Sequence, residues 1–222
     1  NGETATQTFT ITVANVNDAP VASAASFSTN EDVDLSDNLP TASDDDNDSL
    51  TYTLVQNASN GSVTVNSDGS FTYDPNDNFN GTDSFTYKVN DGTADSATET
   101  VSLTVNPVND DPTFTNSSET ASQTFDIDEG AEFSYTFAVT DIDTADTLTL
   151  SASNLPSWLS FNPANGLVFG TPQNSDVGDG QTFTLTATDG NSGTDVTKTI
   201  TINVADVNEA PYQATLLVDQ AI

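Results

Sequence analysis

The sequence predicts an all-β fold, a tandem of β-sandwiches, and three observations lead to it. Short segments of Val, Ile, Phe, Tyr and Thr alternate with polar residues at a period of two. That period sets one face of each segment on a core and the other in water. No stretch carries the apolar stripe of an amphipathic helix. Finally, an acidic phrase ending in proline occurs three times, as VNDAP (16–20), VNDDP (108–112) and VNEAP (207–211). Its prolines lie 92 and 99 residues apart, which marks out two units of sandwich length between copies of one joint.

Residues 1–18 contain TFTITV at 8–13 and read as the last strand of a preceding domain followed by a linker. The first complete unit, 19–107, has strands expected near 21–27, near 33–35, at 50–56, at 83–90 and at 97–105. Between them, NSDGS at 66–70 supplies the tight turn of a hairpin over 62–73. The second unit, 108–205, has strands expected near 123–127 and at 132–139, 147–152, 158–161, 166–170, 181–188 and 195–204. Residues 206–222 read as a linker and the first strand of a following domain, so the chain reads as a piece of a longer array. The two terminal strands have no partner in a two-sandwich scheme. They are expected to fray or to pair with another copy.

Composition limits the partners. The chain of 222 residues has 34 acidic residues against two lysines, with no arginine, histidine or cysteine. Self-repulsion on this scale destabilises a compact state unless cations offset it. Nucleic acid and anionic membrane surfaces are excluded as partners, because both require Lys and Arg. No segment approaches the ~20 apolar residues of a membrane span. Disulfides and thiolate metal sites are ruled out, and calcium can supply the same stabilisation in an extracellular protein.

Two long stretches carry a family resemblance. NGSVTVNSDGSFTYDPNDNFNGTDSFTYKVNDG (60–92) resembles the tandem cadherin-like repeats of large bacterial surface adhesins. LPSWLSFNPANGLVFGTPQNSDVG (155–178) resembles the dystroglycan-type cadherin-like domain. The resemblance implies immunoglobulin-like (cadherin-like) β-sandwiches that bind Ca2+ and serve extracellular adhesion at a bacterial surface, as in the calcium-dependent adhesins of the RTX type.

The acids lie where such a fold gathers its loops. Hard cations take six to eight oxygens, mostly carboxylate and carbonyl. At the N-terminal pole of the first unit, Asn15, Asn17 and Asp18 of the linker join Asp44, Asp45, Asp46 and Asp48 of SDDDNDS and Asp91. The equivalents in the second unit are Asn109, Asp110 and Asp111, then Asp141, Asp143 and Asp146 of TDIDTAD, and Asp189. At the C-terminal poles stand Glu31, Asp32 and Asp77 in the first unit and Asp128, Glu129 and Asp176 in the second. The third copy of the joint offers Asp206, Asn208 and Glu209. C-terminal acids of one unit, the linker, and N-terminal acids of the next are expected to share calcium ions. By resemblance to animal cadherins, Glu31, Asn109, Asp110, Asp141, Asp143 and Asp189 take the ligand roles at the central joint. This linker is one residue shorter than theirs, and Pro107 stands in place of its first aspartate. An EF-hand reading of 44–55 fails, since Ser49 and Val55 occupy the positions that need Gly and Glu.

The expected role is a calcium-stiffened extender that projects a distal binding module, with neighbouring domains as partners. A calcium-dependent glycan- or peptide-binding module and a subunit that self-associates through its terminal strands stay open as alternatives. Catalysis is not expected, because most nucleophile and base arrangements need the absent residue types and the acids recur at equivalent places in both units. Trp158 is expected to pack between sheets. Lys88 is expected to face outward, and Lys198 to be a strand-end polar residue rather than part of an isopeptide staple.

Overall fold

In the computed structural model, which describes residues 2–115, 121–191 and 195–208, the alternating segments form two units divided after Val108. The first unit has seven strands: β1 (Ala25–Asn30), β2 (Leu35–Asn38), β3 (Thr51–Gln56), β4 (Gly61–Val65), β5 (Ser70–Pro75), β6 (Gly81–Asn90) and β7 (Glu99–Asn106). One sheet has the order β1-β7-β6-β3 and the other β2-β5-β4. All pairings are antiparallel except β1 with β7, which run parallel. Period two then does its work: Phe85, Tyr87 and Val89 of β6 and Val101, Leu103 and Val105 of β7 are buried. They meet Phe71 and Tyr73 of β5 from the opposite sheet. Phe71 joins the layers, with its ring 5.0 Å from Phe27 and 5.3 Å from Phe85.

Polar atoms inside this core are satisfied by specific partners. The Tyr87 hydroxyl donates to the Ser23 carbonyl at 2.6 Å, which ties the strand to the chain ahead of β1. Asp83 closes the loop before β4 by accepting the N–H groups of Ser59 at 3.0 Å and Asn60 at 2.8 Å, together with that of Ser84 and the Tyr73 hydroxyl. Burial works to raise the Asp83 pKa, but these donors favour the charged form and hold it below the ordinary carboxylate range. Burial and the facing Asp83 charge push the Tyr73 phenol up.

Among the described residues the second unit has nine strands: β8 (Thr113–Phe114), β9 (Ser122–Asp128), β10 (Phe133–Thr136), β11 (Val139–Thr140), β12 (Thr149–Ser153), β13 (Leu159–Asn162), β14 (Leu167–Gly170), β15 (Gly178–Thr188) and β16 (Val196–Ala205). The sheets are β12-β15-β16-β9 and β10-β14-β13, with a short β8–β11 pair beside them. As in the first unit, the last strand pairs in parallel with an early one, β16 with β9. The core joins Phe133, Phe137, Leu159 and Val168 to Phe183, Leu185, Ile200, Ile202 and Val204.

Two expectations change, and two more concern the terminal segments. The strand expected over 132–139 is broken, because the chain leaves β14 after Thr136 and pairs with β8 from Val139. At the break, Phe137 N–H donates to the Gly166 carbonyl. Gly166 sits at φ +69, where a Cβ would stand 2.2 Å from the Phe137 carbonyl oxygen, so only glycine fits. Residues 8–13, expected as a strand, pair with nothing among the described residues and are fully solvated. The sheets leave them no place, since β7 already lies between β1 and β6. Residues 211–222, the expected first strand of a following domain, lie outside the described residues. Lys198 is not a strand-end polar residue: it shares the inward face of β16 with Ile200 and is only 3% exposed. Burial lowers its pKa. Lys88 does face outward, in a salt bridge with Asp95 at 2.6 Å. Trp158 packs as expected, edge-on to Phe133, and donates its ring N–H to Gln181 at 3.0 Å.

Asp83 yields a test. Its folded pKa is depressed, so its contribution is present above the unfolded value of about 3.9 and is lost as pH falls through the folded pKa. Asp83→Ala strands several donors and is expected to cost the first unit about 2–3 kcal/mol in denaturant melts at neutral pH. The deficit relative to wild type should shrink below about pH 4.

Candidate metal sites

The first unit gathers acids at its N-terminal pole from the β2–β3 loop and the turn after β6, and the second from the β11–β12 loop and the turn after β15. In the first unit, the β2–β3 loop folds around one carboxylate. Asp44 Oδ1 accepts the N–H of Asp46 at 2.9 Å and that of Asp48 at 3.2 Å, with Asn47 at φ +59 to close the turn. This is the local side-chain-to-backbone chemistry that makes Asp favourable in turns. It sets Asp44, Asp46 and Asp48 so that one carboxylate oxygen from each lies within 4.8 Å of the others.

The linker docks onto the same pocket. Asp46 accepts from the Asn15 amide at 2.6 Å and from the Asp18 N–H at 2.8 Å. Asp91, buried at the end of β6, accepts the N–H groups of Thr93 and Ala94 and the Asn17 amide at 3.0 Å. The Asp18 N–H and then the Asn15 amide lower the Asp46 pKa. For Asp91 the Ala94 N–H is the largest cause, followed by the Asn17 amide.

The second unit repeats the plan with different spacing. Asp141 Oδ1 accepts the Asp143 N–H at 2.9 Å, and Asp143 accepts the Asp110 N–H at 2.8 Å. Asp189, buried after β15, accepts the Asn109 amide and the Asn191 N–H, each at 2.8 Å. Here the oxygens within 4.8 Å of one another belong to Asp141, Asp146 and Asp189. Asn191, whose amide reaches Asp146 at 2.7 Å, is a site residue that the sequence reading missed. Its only signal was its place directly after TDG.

Both pockets hold one oxygen that the protein does not satisfy. Asp44 Oδ2 and Asp141 Oδ2 are buried without a hydrogen-bond partner. Each belongs to the first aspartate of its loop, and the two positions are equivalent. A buried carboxylate oxygen without a donor is costly, and a bound cation would relieve it.

The C-terminal poles differ. Glu31, 2% exposed, accepts the Val108 N–H on Oε1 and the Asn80 amide at 3.1 Å on Oε2. Asp32 accepts the Asn78 N–H at 2.8 Å. Asp77 is exposed and joins no cluster among the described residues. In the second unit Glu129 accepts the Val207 N–H at 3.0 Å. Asp176 is occupied as a cap, accepting the Gln173 N–H at 2.8 Å at the start of a short 3₁₀ turn. Asp45, Asp111, Asp128, Asp206 and Asn208 are exposed, and Glu209 lies outside the described residues.

The linker amide can be tested directly. The Asn109 amide is the largest influence holding the Asp189 pKa down. Asn109→Ala is expected to move the Asp189 titration upward in carboxyl NMR in chelator-treated buffer, while Asp83 stays fixed.

The comparisons follow the same division. Residues 17–107 match the family described as "Bacterial cadherin-like domain", and residues 112–205 match the one described as "Putative Ig domain". Among solved structures, the human protocadherin-24 EC1-2 structure covers 86% of this chain and all of its own, at 21% identity and a TM-score of 0.51. Drosophila N-cadherin EC1-3 covers 86% of this chain and 69% of its own, at 16% identity and a TM-score of 0.37. The integrin beta-like protein C of Dictyostelium discoideum is 33% identical over 121 residues, which is 54% of this chain and 6% of that protein. The chain thus spans a small part of that relative's length. The two β-sandwich units are thus similar to a bacterial cadherin-like domain over residues 17–107 and to an immunoglobulin-like domain over residues 112–205.

Proposed function

We propose that this chain is a calcium-stiffened extender of a secreted or cell-surface bacterial adhesin, of the kind that carries a distal binding module away from the cell. The observation that carries the proposal is the recurrence, in both units, of a three-carboxylate pocket containing one buried oxygen without a donor. Cadherin-like domains generally bind calcium and are typically extracellular. The pockets offer hard oxygen donors alone, which suits Ca2+ rather than softer metals.

In the first unit Asp44, Asp46 and Asp48 supply the carboxylates, with Asp91, Asn15 and Asn17 beside them. In the second, Asp141, Asp146 and Asp189 do so, with Asp143, Asn109 and Asn191 adjacent. The asparagine amides now donate to these carboxylates; a rotation of the amide presents its oxygen to an ion instead. Sharing of ions with the acids ahead of the linker, Glu31 and Asp32, is the further part of the proposal, and stiffening requires it. No catalytic role belongs to this reading.

Calcium removal tests it. Binding to the folded state at a hundredfold above Kd contributes about 2.7 kcal/mol per site, so the melting temperature is expected to fall on the order of 10 °C in chelator. The length from small-angle scattering should shorten as the joint loosens, and sodium chloride of equal ionic strength should not restore it. Asp141→Asn should weaken calcium binding to the second unit in calorimetry and leave the first intact. An unchanged melting temperature and length in chelator would end the proposal.

A further inference from the structure

The two sandwiches turn unlike faces to solvent from corresponding sheets. In the first unit, the sheet β2-β5-β4 carries Thr72 near the middle of its central strand, in register with Ser36 on one side and Thr64 on the other. In the second, the sheet β10-β14-β13 carries Phe169 on its central strand, in register with Ser134 and Ser160. Hydroxyl residues thus flank both centres, and only the residue between them changes. Phe71 and Tyr73 on either side of Thr72 are buried, as is Val168 beside Phe169, so both central side chains point outward. Phe169 is 42% exposed.

A single surface aromatic is ordinary on a folded protein, but its surroundings here are specific. Leu167, half-buried on the same face, extends the apolar stripe by one cross-strand row, between Thr136 and Asn162. Asn162 accepts the Ala164 N–H at 3.0 Å on Oδ1, which leaves its amide N–H groups to donate. No residue of β10, β13 or β14 is charged, whereas β2 and β5 carry Asp37 and Asp74. In a chain of formal charge −32 this face is a neutral patch. It is a short apolar stripe with polar, uncharged side chains about 5 Å to either side.

We propose that this face of the second unit binds a neutral polysaccharide chain, with Phe169 as the stacking platform. A pyranose ring offers an apolar C–H face and a rim of hydroxyls. These match the Phe169 ring and the hydroxyls of Ser134 and Ser160 beside it. Thr136, Leu167 and Asn162 form the row for the adjoining sugar. Charge selects this occupant. An anionic glycan, or a second copy of this chain at −32, is repelled, and a cationic peptide is drawn to the acidic poles rather than to an uncharged sheet. The site lies on strands rather than on the acidic loops and uses no calcium, so it is separate from the extender role.

The test uses the whole chain in calcium-containing buffer, which keeps its failure distinct from failure of the calcium reading. Cellohexaose, laminarihexaose and mannohexaose are titrated while backbone amide NMR shifts are followed. At least one is expected to shift the amides of β10, β13 and β14 with a roughly millimolar Kd, and to leave β2, β4 and β5 unmoved. Phe169→Thr copies the arrangement around Thr72 and keeps a strand-favouring residue at an exposed place, so it is expected to fold and to weaken binding about tenfold or more. Ser160→Ala keeps the ring and is expected to weaken binding by a smaller factor. Absence of any shift at about ten times the expected Kd overturns the proposal, as does a shift that Phe169→Thr leaves intact. Tighter binding of hexagalacturonate or of an extended Val–Thr peptide at the same amides also overturns it. A dimer in light scattering that Phe169→Thr abolishes would assign the face to a second copy and overturn the choice of occupant.

Discussion

Like-charge repulsion is the constraint that the rest of this structure answers. Thirty-four carboxylates and two lysines leave almost no ion pairing, and Lys88–Asp95 is the salt bridge found among the described residues. The chain turns its acids to hydrogen bonding instead. Asp44, Asp83, Asp91, Asp141 and Asp189 each accept backbone N–H groups, and those bonds shape the loops between strands. At Asp83, Asp91 and Asp189 such bonds favour the ionised form, so there they fix the turn and hold the charge in place at the same time. What backbone donors cannot reach is left facing other carboxylates. Two charges about 4 Å apart repel by about 1 kcal/mol in water and by several times that near a protein surface. The loops therefore fold into a state in which carboxylates stay close to one another.

The position of that cost follows from strand order. The last strand of each unit lies inside its sheet, between an early strand that runs parallel and the penultimate strand. Asp91 follows the fully buried Val89, and Asp189 follows the fully buried Ala187, so each of these acids is anchored by the core next to it. The linker leaves directly from the inner strands β7 and β16. Packing of the cores thus sets the positions of the acids with little freedom, although the loops are short and solvated. A site assembled this way changes little in shape on binding, which lowers the ordering cost of an ion.

Much of this was legible in the sequence, for reasons that particular residues show. Alternation in Phe85, Tyr87 and Val89, and in Ile200, Ile202 and Val204, is a direct imprint of the sheet face, so the inner strands were found to within a few residues. The D-x-D loops were found because Asp at such density has few other uses. The break at Phe137 was not legible, since the apolar pattern runs through it while the pairing partner changes from β14 to β8. Lys198 was misjudged because Glu99 holds the equivalent place in the first unit and suggested a strand-end polar position, whereas parity with Ile200 puts it inward. Which aspartates approach each other was also hidden. Asp48 joins the first pocket and Asp146 the second, while Asp91 and Asp143 serve as docking points for the linker, and those distinctions depend on loop geometry.

The two poles of each unit are chemically unequal, and this decides where the demand for cations originates. At the C-terminal pole of the first unit, Glu31 uses both oxygens on protein donors and Asp32 caps Asn78. In the second, Asp176 caps its own turn and Glu129 holds Val207. An ion at those carboxylates must compete with hydrogen bonds already made. At the N-terminal pole, Asp44 Oδ2 and Asp141 Oδ2 have nothing to give up. Under the proposed calcium reading, an ion meets the least competition at the pocket that begins each unit. The recurrent N-D phrase lies beside that pocket because its amides and N–H groups hold the carboxylates together before any ion arrives. The first two copies of the phrase each provide that preorganisation.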